Sequence, residues 1–359
     1  MKYQGNPDYS HKQTDKIGVL LTNLGTPEAP TAKALRPYLK EFLSDPRVVE
    51  VPRLIWWFVL NGIILNFRPK RSAEAYKTVW TEEGSPLLIH TRNQAAKVRE
   101  ALSNEYGDKI VVEFAMRYGN PAIKDTLDKM FAQGVTKLVV LPLYPQYSGS
   151  TSGSTFDAIS ADFVQRRFLP ELRFINHYHD NPKYIEAVAN KIAQYREQHG
   201  KADKLIFSYH GVPKRYLTNG DPYHCECHKT TRLIAEKLGL YKDEYMTCFQ
   251  SRFGREEWLK PYTDHTLKAL PKQGVKSVQI VCPGFSSDCL ETIEEIGIEN
   301  KEYFIEAGGE DYQYIPALNS DDEHITALLS LIRDNLHGWD VDESARVRFE
   351  QATQFGAKK

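Results

Sequence analysis

The sequence predicts an α/β protein built from two doubly wound, Rossmann-like parallel-sheet domains, and three observations predict it. Short apolar runs alternate with amphipathic stretches at helical spacing, the pattern of parallel strands joined by crossover helices. A length of 359 residues suits two domains. The halves also echo each other. Arg117-Tyr118-Gly119 answers Arg252-Phe253-Gly254, each at a strand end, and Gly134-Val135 answers Gly274-Val275, each opening a strand that ends in proline (Pro142, Pro283). Asn23-Leu24-Gly25-Thr26-Pro27 likewise parallels His210-Gly211-Val212-Pro213. All doubly wound folds are repetitive to some degree, so the echo fits duplication without requiring it. The expected domains are 15–168 and 169–320, with a last helix over 321–336 packing back near the first and tails at 1–14 and 340–359.

Taken in order, Lys16 to Thr22 is an apolar strand closed by the Gly25-Thr26-Pro27 loop. Residues 31–43 place Leu35, Leu39, Phe42 and Leu43 on one helical face, and Asp45-Pro46 stops that helix. Ser85-Pro86 leads into a helix over 87–102. Ile110–Met116 is a strand, followed by Pro121 in a position suited to a first helical turn. Lys137–Leu141 is a strand closed by Pro142, and 144–155 is a Ser/Gly/Thr-rich loop. The second half repeats the scheme: strand 172–176, helix 182–198, strand 205–210, helix 228–238, strands 244–250 and 276–282, and helix 288–304. The charged tail that follows is expected to be poorly ordered.

A net charge of −1 advertises neither nucleic acid nor an anionic membrane surface. The first sixteen residues hold no apolar core of a signal peptide, and five cysteines, an odd number, indicate a reducing cytoplasm rather than a disulfide framework. The most apolar stretch is Leu54–Leu60, followed by Asn61-Gly62 and Ile63–Leu65. It falls short of the roughly 18 apolar residues a spanning helix needs. Its adjacent Trp56 and Trp57 suit either the core or a surface that touches membrane or ligand.

Two stretches carry chemistry. Leu205–His210 is a buried strand ending in a histidine, followed by Gly211 for close backbone approach and Pro213 to fix the exit. Ligand crevices in doubly wound sheets open at the carboxyl ends of strands, which puts His210 at the mouth of a cleft. Cys282 to Glu299 leaves a strand and enters a helix whose Glu291, Glu295 and Glu299 share one face. Like-charged i,i+4 pairs cost a helix only about 0.2–0.5 kcal/mol each, so a solvated face tolerates the row. Asp288-x-x-Glu291 also reads as a capping box, with Glu291 serving only backbone N–H groups. Taken together, one imidazole and one or more carboxylates at the same edge can hold a divalent first-row metal while leaving positions open for exchange.

At this point the residues resemble a known family. From Gly18 to Ile332 the chain is similar to the ferrochelatases, most of all the bacterial ones, in a series of ordered motifs. They include Asn23-Leu24-Gly25-Thr26-Pro27-Glu28, Phe42-Leu43-Ser44-Asp45-Pro46, Tyr76 with Gly84-Ser85-Pro86, and Arg117-Tyr118-Gly119. Ser208–Pro213, Gly220-Asp221-Pro222-Tyr223, Phe249–Gly254, Trp258–Asp264 and Pro283–Thr292 continue the series. The resemblance implies a porphyrin cleft between two chelatase-type domains, the second carrying the metal site. It implies insertion of Fe²⁺ into protoporphyrin IX with loss of two protons, iron being a substrate and no cofactor being required. His210 matches the family's histidine and Glu291 its partner carboxylate; which of them handles iron and which the pyrrole protons stays open. Glu295 and Glu299, with Asp288 at the head of the row, match the path for ions or protons. Arg68, Tyr76 and Trp258 match porphyrin contacts, Arg117, Tyr118 and Ser251 line the same region, and Leu24 stands where some relatives carry methionine. The 54–65 stretch becomes a lip over the cleft that touches the membrane, on an otherwise cytoplasmic protein.

Tyr223–His228 packs His224, Cys225, Cys227 and His228 into five residues. Some ferrochelatases hold a [2Fe–2S] cluster on four cysteines, mostly in a C-terminal extension, and this chain has no cysteine after Cys289. Cys225, Cys227 and Cys248 with one more cysteine would make an alternative cluster; thiols at a helix start are the plain reading. Rival functions are a coproporphyrin III ferrochelatase, a cobalt chelatase acting on a corrin precursor, and a non-catalytic porphyrin or metal carrier. A carrier has no need of a proton-accepting histidine opposite a carboxylate row. No G-x-G-x-x-G follows the first strand, which speaks against a dinucleotide enzyme.

Overall fold

Eight strands form two four-stranded, all-parallel sheets in a computed structural model that describes residues 3–5, 13–254, 256–339 and 345–357. In the first sheet β1 (Lys16–Gly25) lies between β2 (Ile110–Tyr118) and β3 (Val135–Pro142), with β4 (Glu171–Phe174) outside β3. In the second, β5 (Lys204–His210) lies between β6 (Tyr245–Gln250) and β7 (Ser277–Val281), with β8 (Asp311–Ile315) outside β7. The two orders, β2-β1-β3-β4 and β6-β5-β7-β8, are the same winding used twice. β4 pairs with β3, so the first sheet runs past the expected boundary at 168 to Phe174. Alternation of strands and helices does not mark where one sheet ends. Residues 175–181 form the connector from β4 to α7.

The helices are α1 (Ala32–Ser44), α2 (Arg53–Val59), α3 (Leu65–Val79), α4 (Pro86–Tyr106), α5 (Ile123–Ala132) and α6 (Ser154–Phe163) in the first half. After the connector come α7 (Pro182–His199), α8 (Lys214–Thr218), α9 (Tyr223–Lys237), α10 (Thr263–Ala269), α11 (Asn300–Glu306), α12 (Asp322–Asp334) and α13 (Ala345–Gln354). One core is shared by both halves: Val19, Leu21 and Val139 of the first sheet and Leu205, Phe207 and Tyr209 of the second pack with α4, α7, α9 and α12. Gln94 of α4 donates to the Ser286 and Asn319 carbonyls, and Lys97 pairs with Asp322 at the start of α12, fastening α12 across the halves. The opposite faces pack separately, Leu20 and Val140 against α5 and α6, and Ile206 and Ile280 against α10 and α11.

The 53–79 region, unassigned from sequence, is one helical run with a π-helical turn at Leu60–Ile64. Asn61-Gly62 and Pro69 read as breakers, but the wider turn absorbs the first. The carbonyl of Leu65, the one Pro69 cannot bond, instead accepts from Arg36 at 2.6 Å. Trp56 is buried, its indole N–H donating to the Leu43 carbonyl, whereas Trp57 faces out; the pair divides between core and surface. Pro121 lies in a turn ahead of α5 rather than in its first helical turn. The tail expected to be poorly ordered carries α13, while 340–344 and 358–359, like 1–2 and 6–12 at the other end, lie outside the described residues.

Candidate functional site

β5 delivers His210 to the carboxyl edge of the second sheet, in register with Gln250 of β6. The ring Nδ1 lies 2.7 Å from the carbonyl oxygen of Gly211. A carbonyl only accepts, so Nδ1 donates here, which makes Nε2 the nitrogen available to a metal or a proton. Such a bond also fixes ring orientation, as the outer partner of a metal-binding histidine does. Gly211 permits the packing: a Cβ there would lie 2.8 Å from the Gln250 carbonyl oxygen and 3.1 Å from the Trp258 ring. Trp258 therefore sits against the backbone next to His210.

Gln250 ties this strand end to the acidic helix. Its amide donates to the Glu291 carbonyl at 2.8 Å and reaches a Glu295 carboxylate oxygen at 3.5 Å, while its own oxygen accepts from Ser208 at 2.7 Å. Sequence reasoning gave Gln250 no role. An uncharged residue shows no pattern, and its place opposite His210 exists only once β5 and β6 pair.

The acidic row does not lie on an ordinary α-helix starting at 288. Glu291–Glu299 is π-helical, and α11 continues it. Asn300 holds that geometry, donating its backbone N–H and, at 2.7 Å, its side-chain amide to the Glu295 carbonyl five residues back. Tyr312 takes the Ile296 carbonyl from outside. π-Turns concentrate at functional sites. Glu295 accepts from the Ser251 backbone N–H at 2.7 Å and from its hydroxyl at 2.5 Å, and Ser251 holds a φ of 63°, strained for a non-glycine residue. Burial raises Glu295 to about 7; the Ser251 bonds oppose the rise and repulsion from Glu291 adds to it. Burial, then Glu299 and Glu291, raises Glu294 as well.

Glu291 contacts the Cys289 thiol rather than closing a capping box, and its charge reaches Tyr38, Arg68 and Tyr76. Asp288 is buried with its oxygens accepting from Thr292, Tyr314, the Ala317 N–H and Asn319, so it pins the head of the row. Glu299 is exposed at the far end and accepts from Tyr303.

The expected porphyrin contacts divide. Leu24, Tyr76 and Tyr118 share one apolar layer with Tyr38, and Leu290 and Ile293 of the acidic helix pack against it. Arg68 is half-buried, its guanidinium 5.1 Å from the Phe253 ring centre. The polar groups of Arg117 and Tyr118 are already engaged: one Asp45 oxygen accepts from Arg117 at 2.6 Å, Tyr118 at 2.8 Å and Ser154 at 2.6 Å. Burial works to raise Asp45, and the bonds from Ser154, the Arg47 N–H and Tyr118 with the Arg117 charge more than offset it, so its carboxyl is held low.

The three cysteines do not meet. Cys225 is exposed, Cys227 packs into the core shared by the two halves, and Cys248 packs on the opposite face of the second sheet with Ile206 and Ile280. Burial pushes Cys248 up to about 12 and Cys227 well above its ordinary value, leaving thiols rather than thiolates. A sheet separates the proposed ligands. No helix among the described residues is long and apolar enough to cross a membrane.

The Ferrochelatase family model matches residues 16–336. The chain belongs to the ferrochelatase family. It is 68% identical to a ferrochelatase of Idiomarina loihiensis over 99% of this chain and 97% of that one. It is 63% identical to a ferrochelatase of Pseudoalteromonas atlantica over the whole of both chains. Among solved structures it is similar to SirB from Bacillus subtilis with Fe³⁺, with a TM-score of 0.52 at 14% identity, covering 91% of this chain and 100% of that one. That likeness places this ferrochelatase in the chelatase fold and goes no further.

Proposed function

We propose that this ferrochelatase inserts ferrous iron into protoporphyrin IX, making haem and releasing two protons. The observation that carries the assignment of the site is the tautomer of His210: the Gly211 carbonyl holds a proton on Nδ1, which leaves Nε2 as the nitrogen to act as base or metal donor. His210 and Glu291 would bind the incoming Fe²⁺ and accept the pyrrole protons as the iron–nitrogen bonds form. Iron stays ferrous throughout, so no electron donor is called for. Glu295, poised at about 7, is close to half ionised at neutral pH and suited to take each proton on toward exposed Glu299. Asp288, with its oxygens occupied, holds the helix head rather than relaying.

The macrocycle would lie on the apolar layer of Leu24, Tyr76, Leu290 and Ile293, with Trp258 at one edge and Arg68 available to a propionate. Ser251 acts through Glu295, and Arg117 and Tyr118 act through Asp45, rather than on the ring. Iron is a substrate here, and we assign no cluster to Cys225, Cys227 and Cys248. The lip supports a hydrophobic substrate and a peripheral membrane contact: Leu54, Ile55, Trp57, Phe58, Ile63 and Phe67 are each more than half exposed. The test is anaerobic absorbance with Fe²⁺ and either protoporphyrin IX or coproporphyrin III. Haem bands forming faster from protoporphyrin support the reading; preference for coproporphyrin would overturn the substrate, and binding without metallation would leave only a carrier.

A further inference from the structure

The connector between the two sheets brings together groups that the porphyrin cleft does not use. Tyr178 turns inward against Tyr184, its ring planes 88° apart, while the rings of its neighbours His177 and His179 lie 5.0 Å from each other. The two histidines meet Glu226 from the first turn of α9. His177 Nδ1 lies 2.6 Å from one Glu226 oxygen and His179 Nδ1 lies 3.4 Å from the other. One ligand atom from each of the three residues falls within 4.8 Å of the others.

Two features set this cluster apart from an ordinary surface ion pair. Glu226 is buried, and among the described residues no lysine or arginine pairs with it; Lys229, one turn on, is taken by Asp180. A buried carboxylate needs compensation. His179 is 6% exposed, and its Nδ1 makes no hydrogen bond although it points at the cluster. Two imidazole nitrogens and a carboxylate oxygen are the donor set of open zinc sites, with solvent in the fourth position. The two histidines approach different oxygens of Glu226. Tetrahedral ligands at about 2.05 Å stand roughly 3.3 Å apart, so the three side chains must close from a spread of up to 4.8 Å onto one cation. His177 is 44% exposed along its side chain, which leaves an entry route.

We propose that His177, His179 and Glu226 form a second metal site, separate from the chelation cleft, for a divalent first-row transition cation of the zinc class. Its position gives it a consequence. Glu226 also accepts the Tyr147 backbone N–H at 2.7 Å, so a bound cation would clamp the segment between β3 and α6 of the first half, the connector and α9 of the second at one point. The site stands whether or not His210 and Glu291 bind iron.

The test uses Co²⁺ as a visible probe on the full chain carrying His210→Ala, which removes a competing donor from the cleft. Co²⁺ titration of this parent should give one equivalent with ligand-field bands, and a melting temperature that rises with Co²⁺. Adding His177→Asn, on the exposed side, should weaken that binding at least tenfold and remove the bands; Glu226→Gln, which keeps the acceptor for Tyr147, should do the same. Should Glu226→Gln fail to fold, the His177 variant decides. Equal stoichiometry and spectra in parent and His177→Asn, or a parent that binds no Co²⁺, overturns the site.

Discussion

Replacing Glu295 with glutamine should change the pH dependence of stability in a direction fixed by its surroundings. Its carboxyl titrates at about 7 in the folded chain against an ordinary 4.5, chiefly through burial. That difference, at about 1.36 kcal/mol per unit, sets a ceiling of about 3 kcal/mol. Glu295 keeps some solvent contact, which brings the working figure to about 2 kcal/mol. The folded pKa lies above the unfolded one, so the stabilisation is complete below pH 4.5 and is lost as the pH rises through 7. Glutamine keeps the shape and does not titrate. Urea unfolding of both proteins, followed by fluorescence and far-ultraviolet dichroism from pH 5 to 8, should show the variant gaining about 2 kcal/mol relative to wild type across that range. A difference that does not change with pH, or one of opposite sign, would refute the reasoning. It would mean that the Ser251 donors, not burial, govern Glu295.

Ser251→Ala removes the 2.5 Å hydroxyl bond that favours the ionised carboxylate, so the acidic limb of the metallation rate should move about one unit alkaline, read from rate against pH. Gly25→Ala should lower stability by about 3 kcal/mol or more, measured as a drop in the urea midpoint. Its Cβ would fall 1.8 Å from the Tyr118 carbonyl oxygen at a φ of +112°, disturbing the Tyr38 bond to the Gly25 carbonyl under the cleft. Trp57→Glu with Phe58→Glu takes two exposed aromatics off the lip, each worth about 1.5–3 kcal/mol when buried. Co-sedimentation with liposomes should fall at least tenfold, with unfolding unchanged.

Much of the architecture was legible because parallel strands are long apolar runs with punctuated ends. β1 and β5, both central, declared themselves, and so did the carboxyl-edge position of His210. The 53–79 run was not legible, because Pro69 and Asn61-Gly62 are breakers whose effect is cancelled by a π-turn and by Arg36, a residue far off in sequence. The same holds at the site. Glu291, Glu295 and Glu299 could be read from spacing, but the π-helical geometry depends on Asn300 and Tyr312, and the raised Glu295 depends on Ser251 and Gln250 folding against it. Proximity in sequence did not carry over to the cysteines: Cys225 and Cys227 are close along the chain, yet Cys227 and Cys248 end on opposite faces of a sheet. In that stretch the residue that meets other metal-type ligands is Glu226, and its partners lie about fifty positions earlier, where no local pattern joins them.

The account rests on His210 as the group that acts on metal and protons while the apolar layer holds the ring. The direct measurement is anaerobic titration of wild type and His210→Ala with protoporphyrin IX, followed by addition of Fe²⁺ and recording of haem absorbance. Porphyrin affinity within about threefold of wild type, with haem formation reduced at least a hundredfold, is the expected result. Haem formation at the wild-type rate in the variant would contradict the assignment of His210.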